Sequence, residues 1–347
     1  MKPILVILIA ISFLSFQKTD KVLPRVFIFT DINIDAGDPD DRQSLIHLFW
    51  YANELKIEGI VPERYEAHSY KACEMAIEAY TYDFDKFKFK NYPKAEHIKS
   101  NIAIDLDHAK QLFIKASEDL RTPLYVLIWG NMNTFKDILQ EKPELAQNIR
   151  LITIGTGLMF EKDIPHLPKS WKKSAPCKQM NWNGEGRNSI YNDVRFKGMW
   201  WLEINWTYNG MFTGEAPKLI FKTLTEFGKM GDHIKEVVNN EPWAQYFRVG
   251  DTPSVLYLID SKHNIDDPTQ SSWAGQFAHP FPKERPNYFT DFNGIIDWDY
   301  SNPCNTWSNH YKIYKQSKST LEQRRNEMYN ALINKLNKLY QLEVQPK

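Results

Sequence analysis

Apolar residues along this chain fall into short unbroken runs that alternate with longer stretches where they recur every third or fourth position. Residues 25–30 (RVFIFT) form a short β-branched and aromatic run of the kind that makes a buried strand. Over residues 43–53 (QSLIHLFWYAN) apolar side chains return on nearly every turn, which predicts a helix, and residues 55–61 (LKIEGIV) predict a second strand broken at Gly59. Strand, helix, strand in so short a span is the βαβ unit, and it favours a parallel sheet.

The pattern recurs. A helix is predicted over residues 70–80, a strand over 123–129 (PLYVLIW), a helix from 134 to 139 and a strand over 151–154. The fold class is therefore α/β, a mostly parallel open sheet flanked by helices. In such sheets ligands bind outside the carboxyl ends of the strands, so the turns after Thr30, Trp129 and Ile154 belong on one side. From 165 to 209 the chain turns to Trp, Asn, Gly and Lys and reads as a long ordered loop followed by a helix over 196–206. Residues 255–259 read as a short strand or a helix start, 275–300 are rich in Pro, Phe and Asp, and 321–342 close the chain as a charged amphipathic helix. With no internal repeat, low-complexity tract or linker, residues 21–347 are expected to form a single domain.

The first twenty residues stand apart. Met1 and Lys2 precede an almost wholly apolar run over 4–16, and a polar stretch follows at once. That is the pattern of a signal peptide, too short for a span, which needs about 20 apolar residues. The expectation is a secreted or periplasmic protein with no stable membrane span after signal removal; an uncleaved anchor is the rival, since no Ala-x-Ala site is evident. Lys plus Arg and Asp plus Glu are equal at 43 each, so no overall field favours nucleic acid or an anionic membrane. Cys73, Cys177 and Cys304 allow at most one disulfide. Cys73 sits in an apolar helical pattern, which leaves Cys177 with Cys304 as the pair if one forms.

Candidate chemistry concentrates between the first strand and first helix. Residues 30–44 (TDINIDAGDPDDRQS) hold Asp31, Asp35, Asp38, Asp40 and Asp41. Carboxylates packed so closely raise one another's pKa unless a positive charge sits among them, and a divalent cation is the usual remedy. Oxygen-only ligands on such a turn suit Ca²⁺ best, Mg²⁺ or Mn²⁺ less well. The bland alternative is that Asp40 or Asp41 caps the following helix. Far downstream, Asp251 precedes Thr252 and Pro253, which by itself is an ordinary helix start.

These two segments carry a resemblance. Thr30-Asp31-Ile32 with Pro39-Asp40-Asp41-Arg42-Gln43-Ser44-Leu45 resembles the opening motif of the nucleoside hydrolase superfamily, and Gly250-Asp251-Thr252-Pro253-Ser254 and Trp273-Ala274-Gly275 resemble its secreted bacterial nucleoside-hydrolase-like branch, some members of which are described as cellulose-binding. The resemblance implies a Ca²⁺ held by Asp31, Asp41, Asp251 and the backbone carbonyl of Asn133, with Asp40 gripping sugar hydroxyls. It also implies hydrolysis of a glycosidic bond by a metal-activated water whose proton goes to an aspartate, here Asp31, with Asp35 and Asp38 as alternatives. The sequence departs from the family in three places. Its first turn is longer, Gly250 stands where many members carry a histidine near the leaving base, and Pro62-Glu63-Arg64 replaces the usual Gly-Asn after the second strand.

The loop over 180–192 (MNWNGEGRNSIYN) offers Asn183, Glu185, Arg187 and Asn188 as sugar-binding groups, Glu185 and Asn188 being the nearest match to the family's ribose-holding pair. A polar loop capping its own turns is the plain alternative. Trp182 and Trp273 are the tryptophans expected to face a ligand, Trp200 and Trp201 to be core, and His68 and His279 are candidate acids. Three functions follow: a Ca²⁺-dependent glycosidase acting on an N-ribosyl or related glycosyl compound, a carbohydrate-binding module on the same fold without turnover, and a purely structural acidic turn. The partner expected is a small glycosyl or carbohydrate ligand; the oligomeric state, a homo-oligomer included, stays open.

Overall fold

The computed structural model describes residues 22–35, 39–155, 185–238, 245–291 and 310–341. The predicted signal segment, Asp38, Trp171, Cys177, Trp182, Asn183 and Cys304 lie outside them. A seven-stranded sheet runs in the order β2-β1-β3-β4-β5-β7-β6. Its strands are β1 (Arg25–Thr30), β2 (Lys56–Pro62), β3 (Leu124–Ile128), β4 (Ile149–Ile154), β5 (Trp200–Ile204), β6 (Phe277–Ala278) and β7 (Tyr288–Asp291). All neighbouring pairs are parallel except β6 with β7 at the edge.

The continuous apolar runs of the sequence follow from burial on both faces. Successive side chains of a strand point to opposite sides. Val26 and Ile28 accordingly join one core cluster, while Phe27 and Phe29 join another. The first cluster is closed by α1 (Asp40–Trp50), α2 (Ala67–Phe87), α8 (Gly228–Glu236), α9 (Pro253–Ile259) and the last helix, α10 (His310–Leu339). The second is closed by α4 (Leu106–Ser117), α5 (Asn133–Glu141) and α6 (Glu185–Asn192). The short α3 (Ala95–Ser100) and α7 (Ala216–Leu224) complete the helices that bear on these layers. At Gly59 β2 continues, but its register against β1 shifts, Val26 facing Ile57 and Phe27 facing Gly59. Gly59 sits where a Cβ would meet the Phe27 ring at 2.1 Å, so the glycine lets an aromatic strand lie alongside.

The structure corrects one expectation and decides another. The predicted helix over 196–206 is strand β5, preceded by a 3-10 turn, and Trp201 is buried while Trp200 is half-buried. Glu203, the one charged residue of this strand, is buried against Arg187. The ambiguous segment 255–259 is helix, started by Pro253 in its first turn. Among the described residues, no helix is long and apolar enough to cross a membrane.

Candidate functional site

β1 pairs with β2 on one side and β3 on the other, so the order of the chain reverses at β1 and β3. A crevice opens at the carboxyl ends of strands on either side of such a reversal. The chain leaving β1 there carries Asp31, and the chain leaving β3 carries Gly130 and Asn131. Gly130 approaches so closely that a Cβ on it would stand 2.6 Å from the Asp31 Cγ and Oδ1. No larger residue could sit there without displacing that carboxylate.

Asp40 and Asp41 form the first turn of α1, where the helix dipole favours negative charge. Asp251 immediately precedes the start of α9 and is buried, and the carboxylate oxygens of Asp40, Asp41 and Asp251 lie within 4.8 Å of one another. Thr30 links the last residue of β1 to this group, its hydroxyl donating to the Asp41 Oδ1. Burial raises the Asp31 pKa against the opposing pull of the Arg64 guanidinium and of the neighbouring Asp41 side chain. The Arg64 Nη2 stands 3.7 Å from the Asp31 Oδ2.

Four further contacts fix the carboxylates relative to one another. The amide of Arg248 donates to Gln43 Oε1 at 2.6 Å, and Thr252 Oγ1 meets His47 Nδ1 at 3.0 Å, so α1 grips the chain on both sides of Asp251. Thr252 Oγ1 itself donates to the Val249 carbonyl, so it accepts from His47, and burial depresses the His47 pKa to about 3 and keeps the ring neutral. Ser254 Oγ donates to the Asp251 carbonyl at 2.6 Å and accepts the Trp129 indole N–H at 2.8 Å, which ties Asp251 to the end of β3.

Other predicted residues fall elsewhere or are only partly defined. Asn133 opens α5, where Lys136 N donates to the Met132 carbonyl at 2.8 Å, and three residues before it Gly130 sets its backbone against the Asp31 carboxylate. Trp273 is half-buried, its indole N–H donating to Glu327 on α10 at 2.9 Å. Glu185 and Asn188 lie on α6, their side chains outside the described set. Arg187 is not a free sugar-binding group: it is buried, forked onto Glu203 at 2.7 and 2.6 Å and stacked on Tyr191. His68 pairs with Asp35, both exposed, and His279 stacks on Phe289. Cys73 is buried in α2.

Sequence reading gave no role to Gly130, and noted Glu63 and Arg64 only as a departure from the family's pattern. Glu63 follows β2 with its Oε2 accepting from Thr134 at 2.9 Å, and burial pushes its pKa up to about 8. The only signal for Gly130 was a glycine directly after a strand. A Cβ at Gly250 would lie 3.0 Å from the Asp40 Oδ2, so the position where the family carries histidine does border the site.

Comparison with known proteins agrees with this architecture. The sequence profile of the family described as cellulose-binding Sde182, nucleoside hydrolase-like domain, matches residues 25–277. The chain belongs to that family. Among solved structures, an inosine-guanosine nucleoside hydrolase is similar over 91% of this chain and 98% of its own, with 12% identity and a TM-score of 0.51. An inosine-uridine preferring nucleoside hydrolase from Bacillus anthracis is 14% identical over 66% of this chain and 81% of its own, TM-score 0.43. The effector protein XOO4466 is 12% identical over 86% and 94%, TM-score 0.46. No protein with a curated description matches the sequence.

Proposed function

We propose that the chain is a secreted, calcium-dependent hydrolase of glycosidic bonds, acting on an N-ribosyl or related glycosyl compound. The observation that carries this reading is the convergence of Asp40, Asp41 and Asp251 within 4.8 Å, beside Asp31, at the point where the strand order reverses. The donors are all oxygens and mostly carboxylates, a set that fits Ca²⁺ ahead of Mg²⁺ or Mn²⁺. Asp31, Asp41 and Asp251 would hold the ion. When bound, calcium supplies the positive charge that lowers the pKa of an attacking water. Asp31 accepts that water's proton, and Asp40 accepts hydrogen bonds from ring hydroxyls and fixes the sugar's face.

A second reading, a carbohydrate-binding module without turnover, is favoured by Gly250. Nothing at that position can protonate a leaving group, and the family's description as cellulose-binding points the same way. Calorimetric calcium titration of the protein beside Asp41→Ala tests the first reading. Binding in the parent that is lost in the variant supports the site; no binding in the parent sinks it. A screen of nucleosides and glycosides for hydrolysis, with a cellulose pull-down, then separates enzyme from binding module.

A further inference from the structure

We propose that Arg64 is a built-in counter-cation of the acidic site, competing with calcium for Asp31 and so setting the calcium concentration at which the site fills. The inference rests on the calcium reading above and concerns a residue that stands where the family's pattern has no arginine.

The loop after β2 is anchored on both sides of Arg64. Before it, the Glu63 amide donates to the Thr30 carbonyl at 2.8 Å, and its carboxyl accepts from Thr134. After it, the Tyr65 amide donates to the Pro62 carbonyl at 3.0 Å, and the Tyr65 hydroxyl meets Thr134 Oγ1 at 2.8 Å. Tyr65 is held at φ 52°, a left-handed conformation that a non-glycine residue keeps only where its surroundings impose it. Glu66 in turn accepts from Asn33 at 3.3 Å. A loop fastened at every neighbouring residue thus carries one long cation, 44% exposed, to the mouth of the acidic group.

The contact it makes there is loose. Arg64 Nη2 stands 3.7 Å from Asp31 Oδ2, beyond hydrogen-bond length, so attraction of opposite charges holds it. Arg187 shows the contrast: buried, bidentate and fixed to Glu203. An exposed guanidinium on a single long contact can leave when a divalent ion arrives. Until then it offsets part of the repulsion among Asp31, Asp40, Asp41 and Asp251. Removing its charge should make calcium bind more tightly and leave the calcium-free protein less stable, whereas a residue that helped to hold the ion or its ligand would weaken binding when lost.

The test is calorimetric titration of calcium into the parent, Arg64→Gln and Arg64→Lys, with thermal melts in chelator and in saturating calcium. We expect Arg64→Gln to bind about tenfold tighter at low salt, the size of effect that repulsion between a single and a double charge produces in a partly hydrated site. The gain should shrink as salt is added. Arg64→Lys should behave like the parent, and Arg64→Gln should melt lower than the parent only in chelator. Equal or weaker binding by Arg64→Gln overturns the proposal with the calcium reading intact, as does equal tightening in Arg64→Lys. Calcium binding by neither parent nor variant overturns the calcium reading and this proposal with it.

Discussion

Single atoms decide much at this site. A methyl group added at Gly130 would meet the Asp31 carboxylate at 2.6 Å, so Gly130→Ala must push that side chain aside. Calorimetry should show calcium affinity reduced by at least about tenfold, with a stability loss in urea of about 1–3 kcal/mol, the usual cost of overpacking. Glu63 makes a different prediction. Its carboxyl titrates near 8 when folded against an ordinary 4.5, because burial disfavours the charge. The folded form therefore holds a proton that the unfolded chain releases above the ordinary value. The stability contributed is full below that value and is lost as pH rises through the folded one. Glu63→Gln should match the parent near about pH 5 and exceed it by about 1–3 kcal/mol near about pH 9. Parallel denaturation profiles across that range would contradict the assignment.

At the scale of elements, the site depends on braces between helices that touch no ligand. Trp129→Phe removes the indole N–H that holds Ser254, and through it Asp251, to the end of β3. The expected loss is about 1–2 kcal/mol of stability together with weaker calcium binding. Glu203→Ala would leave Arg187 buried without its counter-charge, at about 3–5 kcal/mol by chemical denaturation. That pair also marks where sequence reading ran out. β1, β3 and β4 were legible because strands buried on both faces leave unbroken apolar runs, and α1 because its apolar side chains return on nearly every turn of a helix buried from Gln43 to Trp50. β5 was not: two adjacent tryptophans and a charged residue fit a helix as well as a strand, and the partners that make a buried Glu203 tolerable, Arg187 on α6 and the Tyr288 hydroxyl on β7, are not its neighbours in sequence. In the site, Asp40 and Asp41 were legible because crowded carboxylates have few inexpensive explanations. Asp251 came from family resemblance, and the His47–Thr252 and Gln43–Arg248 braces had no local signature.

The whole molecule ties its ends together. Leu321, Met328, Leu332 and Leu336 of α10 are fully buried in the same cluster as α1 and α2. Tyr340, just past α10, donates to Asp83 at 2.7 Å and accepts from Trp50 at 3.3 Å, while Asp83 also receives the amides of Lys229 and Met230 at the start of α8. Deleting residues 310–347 should therefore prevent cooperative folding, seen as loss of a thermal transition, although every acidic site residue would remain in the chain. For a protein made from its amino end, this arrangement imposes a schedule. β1, which lies between β2 and β3, is made first and waits for both, and the apolar faces of α1 and α2 stay uncovered until α10 has been made. Such a chain spends its synthesis exposed to self-association.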